Sequence, residues 1–228
     1  MTEATIAVAN KPAWVDLASD DAAASRDFYA KLLGWQLEVN PDPQYGGYAL
    51  ARIGGKDVAG IGPKQDASSP TAWSVYIGTD NVDETAKKVQ AAGGTVVAPP
   101  FEVGDQGRMA VFQDPSGAFI SAWEPRIMGG FQTNTSGALG WSELNARGLD
   151  KALPFYQSVF GWKGEQVDSG AGNPPYTEFH FGGERVAGGM EMNPAAPAQV
   201  PSYWAIYFNV EDVDSAFMCA LSTSSTLK

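Results

Sequence analysis

Residues 14–35, WVDLASDDAAASRDFYAKLLGW, return at 141–162 as WSELNARGLDKALPFYQSVFGW, with Trp, Leu, Phe-Tyr and Gly-Trp in register. Self-similarity of this length means that the architecture is assembled from repeated units, so it is read before any local structure. Two more pairs follow in the same order. Residues 48–60 (YALARIGGKDVAG) are matched by 176–188 (YTEFHFGGERVAG), and 73–83 (WSVYIGTDNVD) by 204–214 (WAIYFNVEDVD). The register drifts slightly from pair to pair, as loop insertions would cause. Between the copies, residues 126–138 (RIMGGFQTNTSGA) have the glycines and small polar residues of a linker. The expected division is therefore a first domain over 13–125, a linker over 126–138, and a second domain over 139–228.

Within the first copy, Val15 and Leu17 alternate with Trp14 and Asp16, the period of a half-buried strand. Residues 22–33 then carry Phe28, Tyr29, Leu32 and Leu33 at helical spacing. Asp20 or Asp21 can cap that helix and Gly34 can end it. Extended segments follow at 35–39, 48–53 and 57–61. The pattern restarts with a strand at 74–78 and a helix over 82–92 closed by Gly93 and Gly94, then strands near 95–97, 109–112 and 119–123. Each copy reads as strand, helix and three strands, twice over. The fold class this implies is α+β: paired βαβββ modules forming a curved, mostly antiparallel sheet, with helices on one face and an open concave cup on the other. Pro154 lies inside the corresponding helix of the second copy. With Asp150 as cap it falls in the first turn, where its missing N–H has no intrahelical partner to lose. Gly54-Gly55 and Gly182-Gly183 read as hairpin turns.

A chain of 228 residues with 44% apolar and 11% aromatic residues has enough side-chain area for one or two packed cores. Its formal charge of −11 repels a phosphate backbone or an anionic membrane, so neither nucleic acid nor membrane is an expected partner. Residues 1–12, MTEATIAVANKP, lack the basic start and apolar core of a leader, and no apolar run is long enough to span a bilayer, which favours the cytoplasm. Cys219 has no second cysteine to pair with, which rules out an internal disulfide and a thiolate cluster for zinc; it reads as a small, partly buried hydrophobe. There is no G-x-S-x-G elbow, no phosphate-cradling glycine loop and no cysteine with a histidine partner, so nucleophilic catalysis and nucleotide binding lack support.

The segments FYAKLLGW and FYQSVFGW, the turn DNVDETAKKVQAAGG, and GRMAVFQDPSGAFISAWEP together resemble the vicinal oxygen chelate superfamily, which includes glyoxalase I, bleomycin-binding proteins and extradiol dioxygenases. The tandem order and the phrases WVDL and GRMAVFQDPSG resemble, more narrowly, the double-domain glyoxalase-like proteins of actinobacteria. The resemblance implies one metal ligand on each of four strands. Carried onto this chain, the first position falls on Trp14 and its repeat Trp141, the second on Gly60 and Gly188, the third on Ser74 and Ala205, and the fourth on Ser121. Divalent metals need several carboxylate, imidazole or thiolate donors, and these side chains offer none. No metal and no cofactor is therefore expected. His180 lies two residues after Glu178 on a strand, which makes either a two-ligand partial site or an exposed polar pair.

Strand alternation puts Asp16 on the face of Trp14, and Glu143 on that of Trp141. Tyr76 and Tyr207 occupy the corresponding place in the neighbouring modules, and Phe119 and Trp123 flank Ser121. An aromatic cup with a carboxylate suits a planar or cationic small molecule, through stacking and charge pairing. Asp16 has two readings: a carboxylate desolvated by tryptophans and fit for acid or base work, or a seam residue paired with a basic group such as Arg108. The candidate ligand-binding set is thus Trp14, Asp16, Tyr76, Arg108, Phe119, Ser121, Trp123, Trp141, Glu143 and Tyr207. Three functions fit: metal-independent binding of a small molecule, a glyoxalase-like or dioxygenase-like enzyme using Asp16 or Glu143, and a role in assembly alone. After Asp214 the chain reads SAFMCALSTSSTLK, too short for the strands that the repeat calls for. The expectation is a helix continuing over 215–220 and a second copy that is cut short, either loosely ordered or completed by a second molecule in a homodimer.

Overall fold

The computed structural model describes residues 9–170 and 175–224. Residues 1–8, most of the N-terminal stretch that lacks the pattern of a leader, and residues 225–228, the end of the polar tail, lie outside them. Among the described residues no helix is long and apolar enough to cross a membrane.

The first copy runs as expected: β1 (Pro12–Ser19), α1 (Ala22–Leu33), β2 (Gln36–Val39), β3 (Ala49–Ile53) and β4 (Lys56–Pro63), then β5 (Ala72–Gly78), α2 (Val82–Ala91), β6 (Thr95–Val103), β7 (Gly107–Gln113) and β8 (Phe119–Pro125). The second repeats it as β9 (Leu139–Ala146), α3 (Leu149–Phe160), β10 (Lys163–Val167), β11 (Tyr176–Phe181), β12 (Glu184–Glu191), β13 (Tyr203–Phe208) and α4 (Val213–Ser224). This is an α+β fold of helices on open, mixed sheets.

The order β2-β3-β4-β1 recurs as β6-β7-β8-β5 and as β10-β11-β12-β9. In each set the hairpin-linked neighbours are antiparallel, and the first and last strands of the module close in parallel: β1 with β4, β5 with β8, β9 with β12. Gly54 and Gly55 (φ +57° and +79°) and Gly182 and Gly183 (+61° and +83°) make the hairpin turns in the left-handed conformation that a two-residue loop requires.

Helix ends follow local chemistry, with one correction. Asp21 Oδ1 accepts from the Ala24 N–H at 2.9 Å, and Gly34 ends α1 at φ +71°. In α3 the cap is Gly148 and not Asp150, so Pro154 sits inside the helix, past the first turn. The helix starts earlier because Glu191, at the end of β12, accepts from the Gly148 and Leu149 N–H groups at 2.9 and 2.8 Å. A carboxylate brought by another strand does the work expected of a local side chain, and it also suits the helix dipole.

The chain packs as two compact units that do not follow chain order. One contains the described residues up to Trp14 together with Val75–Gly130 and Trp141–Ala205; the other contains Val15–Ser74, Phe131–Gly140 and the residues from Ile206 on. The first unit thus combines the second module of copy one with the first module of copy two, with α2 against α3. Its core is a ring lattice of Tyr156, Phe160, Trp162, Phe179 and Trp204, with Tyr156 stacked on Trp162 at 5.5 Å between centroids. The second unit packs α4 on α1. Val15, Leu17, Trp35, Ala51, Val58, Ile61 and Leu139 form its core, closed by Tyr29, Trp73 and Phe208.

Candidate functional site

In the second unit, Asp16 on β1 is the direct neighbour of Gly60 on β4. The hairpin before that strand returns Tyr48 over the same glycine. A Cβ built on Gly60 would lie 1.8 Å from the Tyr48 hydroxyl oxygen, and one on Gly62 would lie 2.8 Å from the ring. A side chain at either glycine would have to move the Tyr48 ring from its place. The Tyr48 hydroxyl donates to Asp16 Oδ2 at 3.2 Å.

The first unit builds the same arrangement from the other copy. Glu143 on β9 is the direct neighbour of Gly188 on β12. A Cβ on Gly188 would lie 1.9 Å from the Tyr176 hydroxyl and 2.9 Å from the Trp141 indole nitrogen. That indole donates to the Tyr176 hydroxyl at 2.8 Å, and Asn145 Nδ2 donates to Glu143 Oε1 at 3.1 Å. Glu143 is buried, while Trp141 and Tyr176 are half-buried.

The remaining candidates divide by exposure. In the first unit Trp14, Tyr76, Ser121 and Trp123 are buried, with Tyr76 registered beside Ser121. The Trp123 indole donates to the Met128 carbonyl at 3.0 Å and its ring covers Gly107. Phe119 is exposed, and so is Tyr207 in the second unit.

Arg108 is held by Asp83 (2.6 Å) and Glu124 (3.5 Å) at the start of α2, and the Glu102 carboxylate lies 3.2 Å from its Nε, close enough to pair but not aligned to accept its hydrogen. The hydrogen bond to Asp83 raises the guanidinium pKa and lowers that of Asp83. Glu124 also accepts from the Val82 N–H at 2.8 Å. Arg108 therefore anchors α2, and the hydrogen bond at Asp16 comes instead from Tyr48.

His180 Nε2 lies 3.2 Å from Glu178 and 3.8 Å from Glu165, and Arg185 donates to Glu178 at 2.9 Å. Arg185, then His180, hold the Glu178 carboxyl below the usual range. A guanidinium already on the carboxylate competes with any cation, which favours the polar-pair reading. Among the described residues no group of three His, Cys, Asp or Glu is placed to hold a metal. The four positions that the sequence resemblance assigns to metal ligands do not fit one: indole, hydrogen, methyl and hydroxyl are not metal donors in number, and at Gly60 and Gly188 a tyrosine hydroxyl lies where a side chain would begin.

Sequence reasoning missed Tyr48 and Tyr176. The signal was available, since each stands at the head of a matched stretch that ends in the glycine it covers. Surface hollows of about 310 and 210 Å3 beside β10 and β11 share Gln166 and Pro175 in their walls and include none of the candidate residues.

A family model described as the Glyoxalase/Bleomycin resistance protein/Dioxygenase superfamily matches residues 11–121 and 138–218. A protein of Mycobacterium tuberculosis (strain CDC 1551 / Oshkosh) named "Putative glyoxylase CFP32" is 39% identical over 90% of this chain and 78% of its own length. The anthracycline biosynthesis protein DnrV of Streptomyces peucetius is 36% identical over 95% of this chain and 83% of its own. Among solved structures, the Mn(II)-bound glyoxalase from Novosphingobium aromaticivorans superposes with a TM-score of 0.63 at 14% identity, covering 96% of this chain and 71% of that one. The halotolerant catechol dioxygenase BphC does so with 0.63 at 17%, covering 96% and 76%. At these identities the two structures speak for the fold alone.

Proposed function

This chain belongs to the Glyoxalase/Bleomycin resistance protein/Dioxygenase superfamily, and on that premise we propose that it binds a small molecule without a metal, through aromatic and carboxylate side chains on its sheet faces. One observation carries the reading: at Gly60 and Gly188, where the family would place a metal ligand, a tyrosine hydroxyl stands within 2 Å of where any side chain would begin. Glu143 beside Trp141 and Tyr176, and Asp16 beside Tyr48, supply a charge and ring faces in place of coordination.

Purified protein should carry less than about a tenth of an equivalent of divalent metal, because sites this poor in donors do not retain one. Elemental analysis finding stoichiometric metal, removed by EDTA with loss of ligand binding, would overturn the reading. It would also favour the alternative, a glyoxalase-like lyase or dioxygenase-like enzyme acting on a small carbonyl or aromatic compound. The Asp16–Tyr48 hydrogen bond speaks for that alternative to the extent that it puts a carboxylate within reach of a hydroxyl proton.

A further inference from the structure

Four strands end the two sheets: β2 and β6 the eight-stranded one, β10 and β13 the five-stranded one. An edge strand is a template on which another chain can add a strand, and three of these four carry the features that prevent it. β2 has only four residues, and its Glu38 is paired with Arg52. β6 carries Pro99, Pro100 and Glu102, and its register slips twice against β7. β10 carries Lys163 and Glu165, both exposed. β13 (YWAIYF) has no proline and no charge. It lies within residues 192–210, the longest uncharged run in a chain whose net charge is −11.

The repeat shows what a neighbouring strand does for this one. β5 is the counterpart of β13 in copy one, and β8 runs alongside it with Ser121 beside Tyr76, which is buried. Tyr207, the counterpart of Tyr76, stands on a strand that ends its sheet among the described residues, and it is 48% exposed. Tyr203 on the same face is 43% exposed. Ala205 lies between them, so this face of β13 reads large, small, large about Ala205.

We propose that β13 is a self-association edge, on which two copies of this chain pair antiparallel, β13 to β13, about a two-fold axis at Ala205. The symmetry selects the occupant. In an antiparallel pair centred there, Tyr203 of each copy lies opposite Tyr207 of the other, and the two Ala205 side chains meet on the axis, where one side chain has to fit against its own copy. Only the small residue of the face stands at that point, and the large ones form two cross-strand aromatic pairs. The paired strands bring no charge near its like, so the excess negative charge of each copy does not oppose contact at short range. The homodimer expected from the sequence thereby acquires a place and a register, and neither depends on what the chain binds.

The test is sedimentation of the full chain at neutral pH over about 1 to 200 μM, the range in which an interface this small associates. The mass should rise with concentration from 24.1 kDa toward twice that value. Ala205→Asp sets two carboxylates against each other on the axis and should raise the dimer dissociation constant by about 10-fold or more. Cross-linking checks the register with a substitution that the fold tolerates. In a Cys219→Ser background, Ala205→Cys should give a disulfide-linked dimer on mild oxidation, because opposite Cα atoms of an antiparallel pair lie about 4.5 to 5.5 Å apart. Tyr203→Cys in the same background should not, since its two copies lie four residues, about 13 Å, apart along the strands. A wild-type chain that stays monomeric throughout the range overturns the inference. So does a dimer that Ala205→Asp leaves unchanged, which would rest on another face, and so does cross-linking through Tyr203→Cys but not Ala205→Cys.

Discussion

Tyr29 and Tyr156 occupy the same place in the two repeats, and their surroundings differ by one buried carboxylate. Each is the second residue of a Phe-Tyr pair, and each accepts from an indole: Tyr29 from Trp73 at 2.9 Å, Tyr156 from Trp204 at 3.0 Å. The tryptophan that follows is anchored identically in both, Trp35 to the Gly137 carbonyl and Trp162 to the Asn10 carbonyl, each at 2.7 Å. Gly137 and Asn10 both adopt positive φ just before the first strand of a repeat. Tyr156, however, also donates to Asp114 Oδ2 at 2.7 Å, and that carboxylate accepts through Oδ1 from the Ser116 N–H and hydroxyl and the Ala118 N–H. The ring lattice therefore comes with the repeated motif, whereas the carboxylate comes from a different module, in the turn Asp-Pro-Ser-Gly. Polar satisfaction in this core is a property of how modules combine, and not of the motif alone.

The largest expected effect tests that difference directly. Asp114→Ala should cost about 3 to 5 kcal/mol in urea unfolding, because it strips a buried acceptor from the Tyr156 hydroxyl and two backbone N–H groups at once. A loss under about 1 kcal/mol would mean that water or rearranged loops replace it, and the contrast between the tyrosines would carry no energy.

Next in size is the pair Tyr156→Phe and Tyr29→Phe. The first leaves both Asp114 and the Trp204 indole without their hydroxyl and should cost about 2 kcal/mol; the second affects the Trp73 indole and should cost about 1 kcal/mol. Alkaline titration checks the same ranking. Burial, with Asp114 adding to it, pushes the Tyr156 hydroxyl well above 10, and burial also raises Tyr29, against the pull of the Trp73 N–H. A tyrosine whose folded pKa exceeds its unfolded value keeps its proton in the native state while the unfolded chain loses it. Stability is thus intact below about pH 10 and falls as pH rises beyond it, toward the folded pKa. Tyr156→Phe should flatten that fall more than Tyr29→Phe does; equal slopes would contradict the ranking.

What could be read from the sequence follows the same line between local and combined structure. Alternation at Val15 and Leu17, the Asp21 cap, Gly34 and the paired glycines of the hairpins are local, and each appears where the residues put it. The start of α3 is not legible locally, because its cap, Glu191, arrives from a strand more than forty residues away. Tyr156 meets Asp114 across the same kind of distance, and no pattern within either segment announces the pairing. The site was half legible. Carboxylates Asp16 and Glu143 follow from alternation, but the tyrosines beside them depend on how a hairpin folds back over a glycine, which shows only in the register of three strands.

The smallest expected effect comes from a comparison at fixed chemistry. Val82 and Val213 open α2 and α4, the helices that follow the same repeated strand, and each helix is entered through a side-chain cap: Asn81 accepts from the Glu84 N–H at 2.9 Å, Asp212 from the Ser215 N–H at 2.7 Å. Val82 is fully buried, on a helix that packs against β6, β7 and β8, while Val213 is 71% exposed on a helix that packs against α1. Phe217 is also exposed further along α4, where its counterpart in α2, Ala86, is buried. Removing two methyl groups should cost about 2 kcal/mol at Val82, from lost transfer energy and the cavity left behind, and under about 0.5 kcal/mol at Val213, where water already reaches them. Both alanine variants keep the helix and its cap, so the difference isolates burial. A cost at Val213 equal to that at Val82 would mean that the face of α4 is covered in solution, and cross-linking through Cys219 on the same helix would then identify what covers it.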